Sequence, residues 1–323
     1  MPLTIWSNAS FSEPAMRRLH EGVRGHRLIL SAVRNSSVLV ESAGDPLLSD
    51  ADVAFGQPAA RDCMLYQRLR WVHLSSAGYA RYHTDAFREN FRARGAILTK
   101  SSVVFADPVA QHVLAMMLGL ARDLPSSYRE QLAEKSWQSQ EHRARCRLLT
   151  GQTVLLLGFG AISRRLVQLL APFDCKIYAL RRKIRSERGV HIIPEEDLTK
   201  ALAVADHVVN LLPDSESTRN WLNARRLACF KAGSRFYNVG RGSTVDQKAL
   251  LDGLRAGIPG AAYLDVTEPE PLPPHDPLWT APNCYITPHS AGGRHDQDEA
   301  LVDHFLANLA AFEKGAPLID VVV

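Results

Sequence analysis

Several features are scarce or missing in this sequence of 323 residues, and each absence removes a class of protein. The five cysteines are scattered without a C-x-x-C pair, which is typical of reduced thiols and not of a disulfide framework. The first residues lack the basic start and apolar centre of a secretion signal, so we expect a cytoplasmic protein. The longest apolar run, 113–121, is about half as long as a membrane crossing needs.

Charge of one sign is also not in excess, because the formal net charge is only +4. Arg143, Arg145 and Arg147 lie close together, but few aromatic residues alternate with them, which favours a solvated face over a nucleic-acid site. The histidines show no H-E-x-x-H or other metal-ligand spacing. We therefore expect no nucleic-acid, membrane or metal partner.

What the sequence does contain is a glycine turn between a buried strand and a helix. The aliphatic run 153–157 leads directly into the Gly-Phe-Gly turn at 158–160, and a second strand at 176–180 completes a βαβ unit. An apolar stripe at helical spacing lies between them, formed by Ile162, Leu166, Leu169 and Leu170. Such a turn directs free backbone N–H groups at one point, which suits a pyrophosphate. The alternative is a glycine turn with a purely structural role.

Alternating strands and helices on both sides of this unit predict an α/β protein with parallel sheets. Strands are expected at 3–6, 28–31, 53–55, 71–74, 96–98, 204–212, 235–239, 260–266 and 284–287. Helices are expected at 13–23, 84–94, 107–121 and 296–314, with Pro108 in the first turn of the third. The 107–121 helix should carry the chain from a first domain to a second, and the last helix should return to the first.

Residues able to do chemistry follow the strands of the second domain. Pro213, Arg241, Asp265 with Glu270, and His289 each come after an apolar run. The carboxyl ends of parallel strands meet at one edge of a sheet, so these residues should converge on one crevice. Taken singly, each residue has an ordinary explanation, such as a surface charge, a turn residue or a hydrogen-bonded core histidine.

Together these residues suit the reduction of a carbonyl group by hydride transfer. His289 can supply the proton, and Glu270 would favour the protonated imidazole if the two are hydrogen-bonded. The planar guanidinium of Arg241 can contact the carbonyl oxygen and an adjacent carboxylate at once.

Four motifs in this order resemble the D-isomer-specific 2-hydroxyacid dehydrogenase family, most closely its glyoxylate and hydroxypyruvate reductase branch. They are the glycine turn, NVGRG at 238–242, LDVTEPEPL at 264–272 and ITPHSAG at 286–292. The resemblance implies a Rossmann-type doubly wound parallel sheet inserted in a flavodoxin-like α/β substrate domain. The substrate domain would span 1–102 and 293–323, and the dinucleotide-binding domain 103–292. It also implies a homodimer built through the cofactor domain and a cleft that closes on substrate.

The resemblance also implies roles for individual residues. Arg241, Glu270 and His289 would be catalytic, and Asp265 would lie near the nicotinamide carboxamide. Cofactor contacts would come from Gly158, Phe159, Gly160, Ala161, Ile162, Arg181, Arg182, Pro213, Thr218, Val239, Gly240, Arg241, Asp265, His289 and Gly292. Substrate contacts would come from Ser76, Ala77, Gly78, Arg241 and His289. From its residues alone, the 76–78 loop reads as a plain connection between a strand and a helix.

The cofactor preference depends on the end of the strand 176–180. Family members that prefer NAD have an acidic residue there, whereas this chain has Arg181, Arg182 and Lys183. Arginine attracts a 2′-phosphate that a carboxylate would repel, so we predict NADP(H), with NAD(H) still possible. The alternative is that these arginines face solvent. Ser163 replaces the last glycine usual in the family and should be tolerated with slightly looser packing. Gln111 and Ala80 stand where the family commonly has glutamate and often has aspartate, and they put only local hydrogen bonds in doubt.

The sequence therefore predicts an NAD(P)-dependent enzyme that reduces a small 2-oxo acid to the D-2-hydroxy acid, with glyoxylate or hydroxypyruvate as first candidates. Two alternatives stay open. One is a biosynthetic enzyme similar to phosphoglycerate dehydrogenase. The other is a dinucleotide-sensing binding protein similar to the co-repressors that share this fold.

Overall fold

The computed structural model describes residues 1–35, 42–133, 135–182 and 185–323. The chain divides into two compact units. The first unit consists of Met1–Phe105 and Arg294–Val323, and the second of Ala106–Gly293. The second unit is therefore inserted in the sequence of the first.

The first unit contains a five-stranded parallel sheet with the strand order β2-β1-β3-β4-β5, the flavodoxin-like order. Its strands are β1 (Thr4–Ser7), β2 (Arg27–Leu30), β3 (Val53–Gly56), β4 (Trp71–Leu74) and β5 (Ile97–Thr99). Its helices are α1 (Glu13–Gly22), α2 (Ala60–Leu65), α3 (Asp85–Ala93) and α11 (Gln297–Glu313). Every residue of β1, β3 and β4 is buried, as expected for strands covered on both faces.

Helix α11 is part of the core of this unit although it lies near the end of the chain. The ring of Phe305 stacks on Phe55 with 4.3 Å between centroids, and on Trp71 with 5.4 Å. Leu306 lies against Gly22 of α1, where an added Cβ would come within 2.3 Å of it. The apolar stripe of the last helix thus covers one face of the first sheet.

The second unit contains a seven-stranded parallel sheet with the order β12-β11-β10-β9-β6-β7-β8. Its strands are β6 (Thr153–Leu157), β7 (Lys176–Leu180), β8 (His191–Ile193), β9 (His207–Asn210), β10 (Arg235–Asn238), β11 (Ala261–Leu264) and β12 (Cys284–Ile286). Helices α7 (Ala161–Leu170), α8 (Leu198–Val204), α9 (Ala224–Leu227) and α10 (Gln247–Ala256) connect them. The strand order reverses between β6 and β9, as in a doubly wound sheet. The predicted fold class is confirmed.

Helix α4 (Ser102–Ala121) corrects the predicted start at residue 107. Pro108 lies inside the helix, where it removes one backbone hydrogen bond. The helix continues through this loss because the side chains of the flanking turns are packed. Val113, Met117 and Ala121 are buried in a core cluster of the second unit. By length and composition this helix could also cross a membrane, but core helices of soluble proteins pass the same test.

Two helices after α4 were not predicted, α5 (Leu124–Leu132) and α6 (Ser139–Arg145). The segment was expected to be a solvated face, and no residue of either helix is buried. Helix α6 is polar, so it lacks the apolar periodicity that makes a helix visible in a sequence, whereas Leu124, Tyr128 and Leu132 of α5 do follow helical spacing, a signal that the prediction did not use.

Candidate active site

His289 and Glu270 form a hydrogen-bonded pair in the loops after β12 and β11. The imidazole Nδ1 lies 2.7 Å from Glu270 Oε2, and the other carboxylate oxygen accepts a hydrogen bond of 3.1 Å from the backbone N–H of Thr267. Burial alone would raise the pKa of Glu270, but the hydrogen bond and charge of His289, the Thr267 N–H and the charge of Arg241 outweigh it and lower the pKa. The carboxylate is therefore ionised, and Nδ1 of His289 carries the proton that it donates.

Arg241 follows β10, the strand next to β11. Its guanidinium donates to the carbonyl of Gly240 at 2.6 Å and is half-buried. Burial lowers the pKa of Arg241, and the charges of Glu270 and Asp214 oppose that shift, so Arg241 and Glu270 interact electrostatically. The arginine remains a cation at any ordinary pH because its reference pKa is so high.

Gly242 brings the loops of Arg241 and Glu270 into contact. A Cβ built on Gly242 would lie 2.0 Å from the carbonyl carbon and oxygen of Thr267, far closer than any real contact. Only glycine allows this approach. Together with the pairing of β10 and β11, this contact brings the predicted Arg241, Glu270 and His289 together at the carboxyl edge of one sheet.

Asp265 anchors the loop that carries His289. Its buried carboxylate accepts hydrogen bonds from the Thr287 hydroxyl at 2.7 Å and from the backbone N–H groups of Ser290 and Ala291 at 2.8 and 3.0 Å. Its backbone carbonyl accepts a further bond of 2.8 Å from the N–H of His289. The structure thus gives Asp265 a positioning role that the sequence did not predict.

His289 itself has a left-handed backbone, with φ of 49°. That conformation is uncommon for a residue with a side chain, and it persists only where surrounding contacts hold it. The hydrogen bonds of Asp265 to both sides of His289 supply those contacts.

The glycine turn fits a dinucleotide pyrophosphate. Gly158 has φ of 103°, which favours glycine, and its Cα faces the backbone of Leu211 closely. A Cβ on Gly160 would meet no atom within 4 Å, so the space in front of the turn is open. No described side chain caps α7 at Gly160, which leaves the first N–H groups of the helix to a ligand. Ala161 and Ile162 are the first two residues of α7, and Phe159 is the middle residue of the turn.

Ser163, in place of a glycine common in the family, strengthens this turn. Its buried side chain donates a hydrogen bond of 2.8 Å to the carbonyl of Gly158. The serine thus closes the strand-to-helix connection with a bond that glycine could not make.

The other predicted cofactor residues lie after neighbouring strands. Thr218 is buried and donates to the carbonyl of Pro213 at 2.7 Å, which fixes the loop after β9. Val239 and Gly240 follow β10, and an added Cβ on Gly240 would lie 2.8 Å from the carbonyl oxygen of Leu212. Gly292 follows β12 in the loop that Asp265 anchors.

A buried network behind these loops was not predicted. Asn210 Nδ2 donates to Asn238 Oδ1 at 2.9 Å and to Thr244 Oγ1 at 2.7 Å. Asn210 and Asn238 are the last residues of β9 and β10, and a polar residue that closes an apolar run is the signal that could have found them.

The two arginines after β7 have partners of their own. Arg181 Nη1 donates to Glu187 at 3.1 Å, and Arg182 Nη2 donates to Ser217 Oγ at 3.3 Å. Lys183 lies outside the described residues. Arg181 is half-buried and Arg182 is exposed, so the predicted phosphate contact and the alternative that these arginines face solvent both stay predictions.

The predicted substrate loop follows β4 in the first unit. Ser76 Oγ donates to the carbonyl of Gly78 at 2.7 Å, with Ala77 between them. Gln57 Nε2 donates to Ser76 Oγ at 2.9 Å and to Ser75 Oγ at 3.2 Å. Gln57 is fully buried, and its role beneath this loop was not visible in the sequence.

The site contains the parts of a dehydrogenase, and comparison with known proteins identifies the family. Residues 114–291 match the sequence model of the D-isomer specific 2-hydroxyacid dehydrogenase NAD binding domain, which is more than half of the chain. The chain belongs to the D-isomer specific 2-hydroxyacid dehydrogenase family. It is thus an NAD(P)-dependent oxidoreductase, as predicted.

Individual members of this 2-hydroxyacid dehydrogenase family match most of the chain. A glyoxylate/hydroxypyruvate reductase B of Pectobacterium atrosepticum is 30% identical over 82% of this chain and 84% of its own length. A dehydrogenase of Xanthobacter autotrophicus, solved with NADPH and MES, has a TM-score of 0.82 and 26% identity, covering 100% of this chain and 98% of that one. An NADPH-dependent glyoxylate/hydroxypyruvate reductase of Sinorhizobium meliloti, solved with NADP and sulfate, has a TM-score of 0.75 and 25% identity over 99% and 98%.

Proposed function

We propose that this dehydrogenase reduces a small 2-oxo acid, glyoxylate or hydroxypyruvate first, to the D-2-hydroxy acid with NADP(H). The observation that carries the proposal is the His289–Glu270 pair at 2.7 Å beside Arg241. Relatives named glyoxylate and hydroxypyruvate reductases support the substrate class.

His289 is the proposed acid. Its Nδ1–H is donated to the ionised Glu270, so the other ring nitrogen, Nε2, can hold the proton that passes to a substrate oxygen. When bound, a nicotinamide cofactor supplies the hydride. Glu270 stays ionised and stabilises the positive charge of the ring before the proton leaves.

Arg241 is the proposed electrostatic group. Its cation favours the negative charge that develops on a carbonyl oxygen, and its planar fork suits the adjacent carboxylate of a 2-oxo acid. Because the guanidinium is half-buried, it is screened less than a surface arginine would be. For the 76–78 loop of the first unit, a contact with the substrate carboxylate stays a prediction from the resemblance.

Arg181 and Arg182 are the proposed basis of an NADP(H) preference. Both guanidiniums lie just beyond β7, next to the glycine turn of β6 in the sheet order. Two cations at this position attract a 2′-phosphate. The two solved family members bound to NADPH and NADP are consistent with this proposal.

An absorbance assay at the nicotinamide band tests the function directly. Glyoxylate, hydroxypyruvate and larger 2-oxo acids are each offered with NADPH and with NADH. We expect the highest kcat/KM with a small 2-oxo acid and NADPH. Turnover with none of these acids, at a cofactor affinity that is intact by calorimetry, would contradict the proposal and favour a dinucleotide sensor.

We also propose that the protein forms a homodimer through its second unit. Between residues 124 and 148, the side chains of Leu132 and Trp137 are 82% and 93% exposed, and Tyr128 and Leu148 are exposed as well. Four exposed large apolar side chains in one segment of the second unit support an interaction surface there. The molar mass from light scattering should be twice that of the chain, and Leu132→Ser with Trp137→Ser should lower it to one chain.

A further inference from the structure

Glu187 links two arginines that follow the glycine turn and the strand next to it. One of its carboxylate oxygens, Oε1, accepts a hydrogen bond of 2.7 Å from Arg164 Nη2 and one of 3.1 Å from Arg181 Nη1. Arg164 belongs to α7, and its guanidinium lies 5.2 Å from the ring centroid of Phe159 in the glycine turn. Arg181 follows β7. A single carboxylate thus lies between a cation on the helix after the glycine turn and a cation just beyond β7.

The charges in this group are unequal. Two guanidiniums face one carboxylate, so the group has a net charge of +1, and the hydrogen bonds from Arg164 and Arg181 lower the pKa of Glu187, which keeps it ionised. A carboxylate and a phosphate compete for the same donors, because both are anions that accept hydrogen bonds from a planar guanidinium. In the absence of a phosphate, the Glu187 carboxylate fills that role.

We propose that Glu187 is a specificity-determining residue that weakens the binding of NADP(H) relative to NAD(H). This inference rests on the proposed function in one respect, that Arg181 contacts the 2′-phosphate. A phosphate held by Arg181 experiences repulsion from the carboxylate on the same guanidinium and must share its donors. A cofactor without the phosphate experiences neither effect. Glu187 therefore reduces the preference for NADP(H) that the arginines alone would give.

The test is the affinity of Glu187→Gln for each cofactor, measured by calorimetry. Glutamine has nearly the same shape and keeps an acceptor for one arginine, but it has no charge. We expect the Kd of NADP+ to fall about five- to tenfold, since a like charge is removed near a phosphate at a partly solvated site. The Kd of NAD+ should change less than about twofold. Melting temperature reports whether the fold is kept.

Matched variants separate the competing explanations. Glu195→Gln removes a carboxylate that also pairs with an arginine, Arg226, and should leave both dissociation constants unchanged. In an Arg181→Ala background, Glu187→Gln should no longer tighten NADP+. The smaller ligands 2′-AMP and 5′-AMP should reproduce the difference between NADP+ and NAD+ if the phosphate itself is what Glu187 opposes.

Three outcomes would overturn the inference. Weaker binding of NADP+ by Glu187→Gln would mean that the carboxylate holds Arg181 in place for the phosphate. Equal changes for both cofactors would indicate a structural effect, and no change would remove Glu187 from the site. A wild-type protein that prefers NAD+ would contradict only the proposed cofactor preference, because the shift in the ratio of the two constants is measured independently of its starting value.

Discussion

His289 and His142 both lie 2.7 Å from a glutamate in the second unit, yet their surroundings differ. His142 Nε2 contacts Glu130 at that distance, and its Nδ1 contacts Asp123 at 2.8 Å, so carboxylates occupy both ring nitrogens. His289 contacts Glu270 through Nδ1 alone, and its Nε2 has no partner among the residues that the structure describes. A histidine that transfers a proton needs one nitrogen for a positioning group and one for the substrate.

The comparison also extends to the backbone. His142 belongs to α6, a regular helix, whereas His289 has a left-handed φ of 49° that Asp265 stabilises. Distance to a carboxylate therefore does not separate the proposed catalytic histidine from one in an ion cluster. The unpartnered nitrogen and the held, unusual backbone do separate them.

Replacing His289 should have the largest effect. Asparagine is the suitable replacement, because it tolerates the left-handed backbone that alanine would strain. We expect His289→Asn to lower kcat by about a hundredfold to ten-thousandfold, the range for losing a general acid. Cofactor affinity by calorimetry should stay within about twofold. Equal loss of turnover and cofactor binding would contradict the proposed role of His289.

Removing the charge of Glu270 should have an intermediate effect. Glu270→Gln keeps an acceptor for Nδ1 but loses the charge that stabilises a protonated ring, so kcat should fall about tenfold to a hundredfold. The pKa of Glu270 is lowered, so its charge is present above the ordinary carboxyl range and is lost only as the pH falls through that lowered value. Reduction rates of both proteins from pH 5.5 to 8, where the wild-type carboxylate stays ionised, measure the loss. An unchanged kcat across this range would show that Glu270 only positions the ring.

Replacing His142 should have the smallest effect of the three changes, and it should not alter the chemical step. The hydrogen bond to Glu130, opposed by burial and aided by Asp123, raises the pKa of His142, so its stabilising contribution is full below about pH 6.5. That contribution is lost as the pH rises through the raised value. His142→Gln should therefore lower the melting temperature by a few degrees at pH 5.5 and hardly at pH 9, with kcat unchanged. A loss of kcat would contradict the conclusion that His142, unlike His289, plays no part in the reaction.

The proposed catalytic residues could be expected to lie together because each follows an apolar strand of one parallel sheet. Apolar runs such as 153–157 and 284–287 are local signals, and the geometry of a parallel sheet then brings the residues that follow them to one edge. Up to 48 residues separate Arg241, Glu270 and His289 in the sequence. The order of the parallel strands is enough to bring them together, and the details of side-chain packing are not needed.

Contacts between segments without such a signal could not be predicted. Glu187 pairs with Arg164, which precedes it by 23 residues, and Gln57 with Ser76, because tertiary packing places them together. The same is true of α4, where packing of Val113 and Met117 outweighs the helix-breaking tendency of Pro108. The positioning role of Asp265 could be recognised only from the structure of the loop after β12. Two of its partners are backbone N–H groups, which every residue but proline carries, so the sequence does not mark them.

The contact of Gly242 with Thr267 has a consequence for mutational screening. Any side chain at position 242 would collide with a neighbouring carbonyl and push the arginine loop away from the glutamate loop. Substitutions there should inactivate the enzyme as thoroughly as those of the proposed proton donor, although a glycine has no side chain that could react. A selection for inactive alleles would thus rank a residue without a side chain among the essential ones.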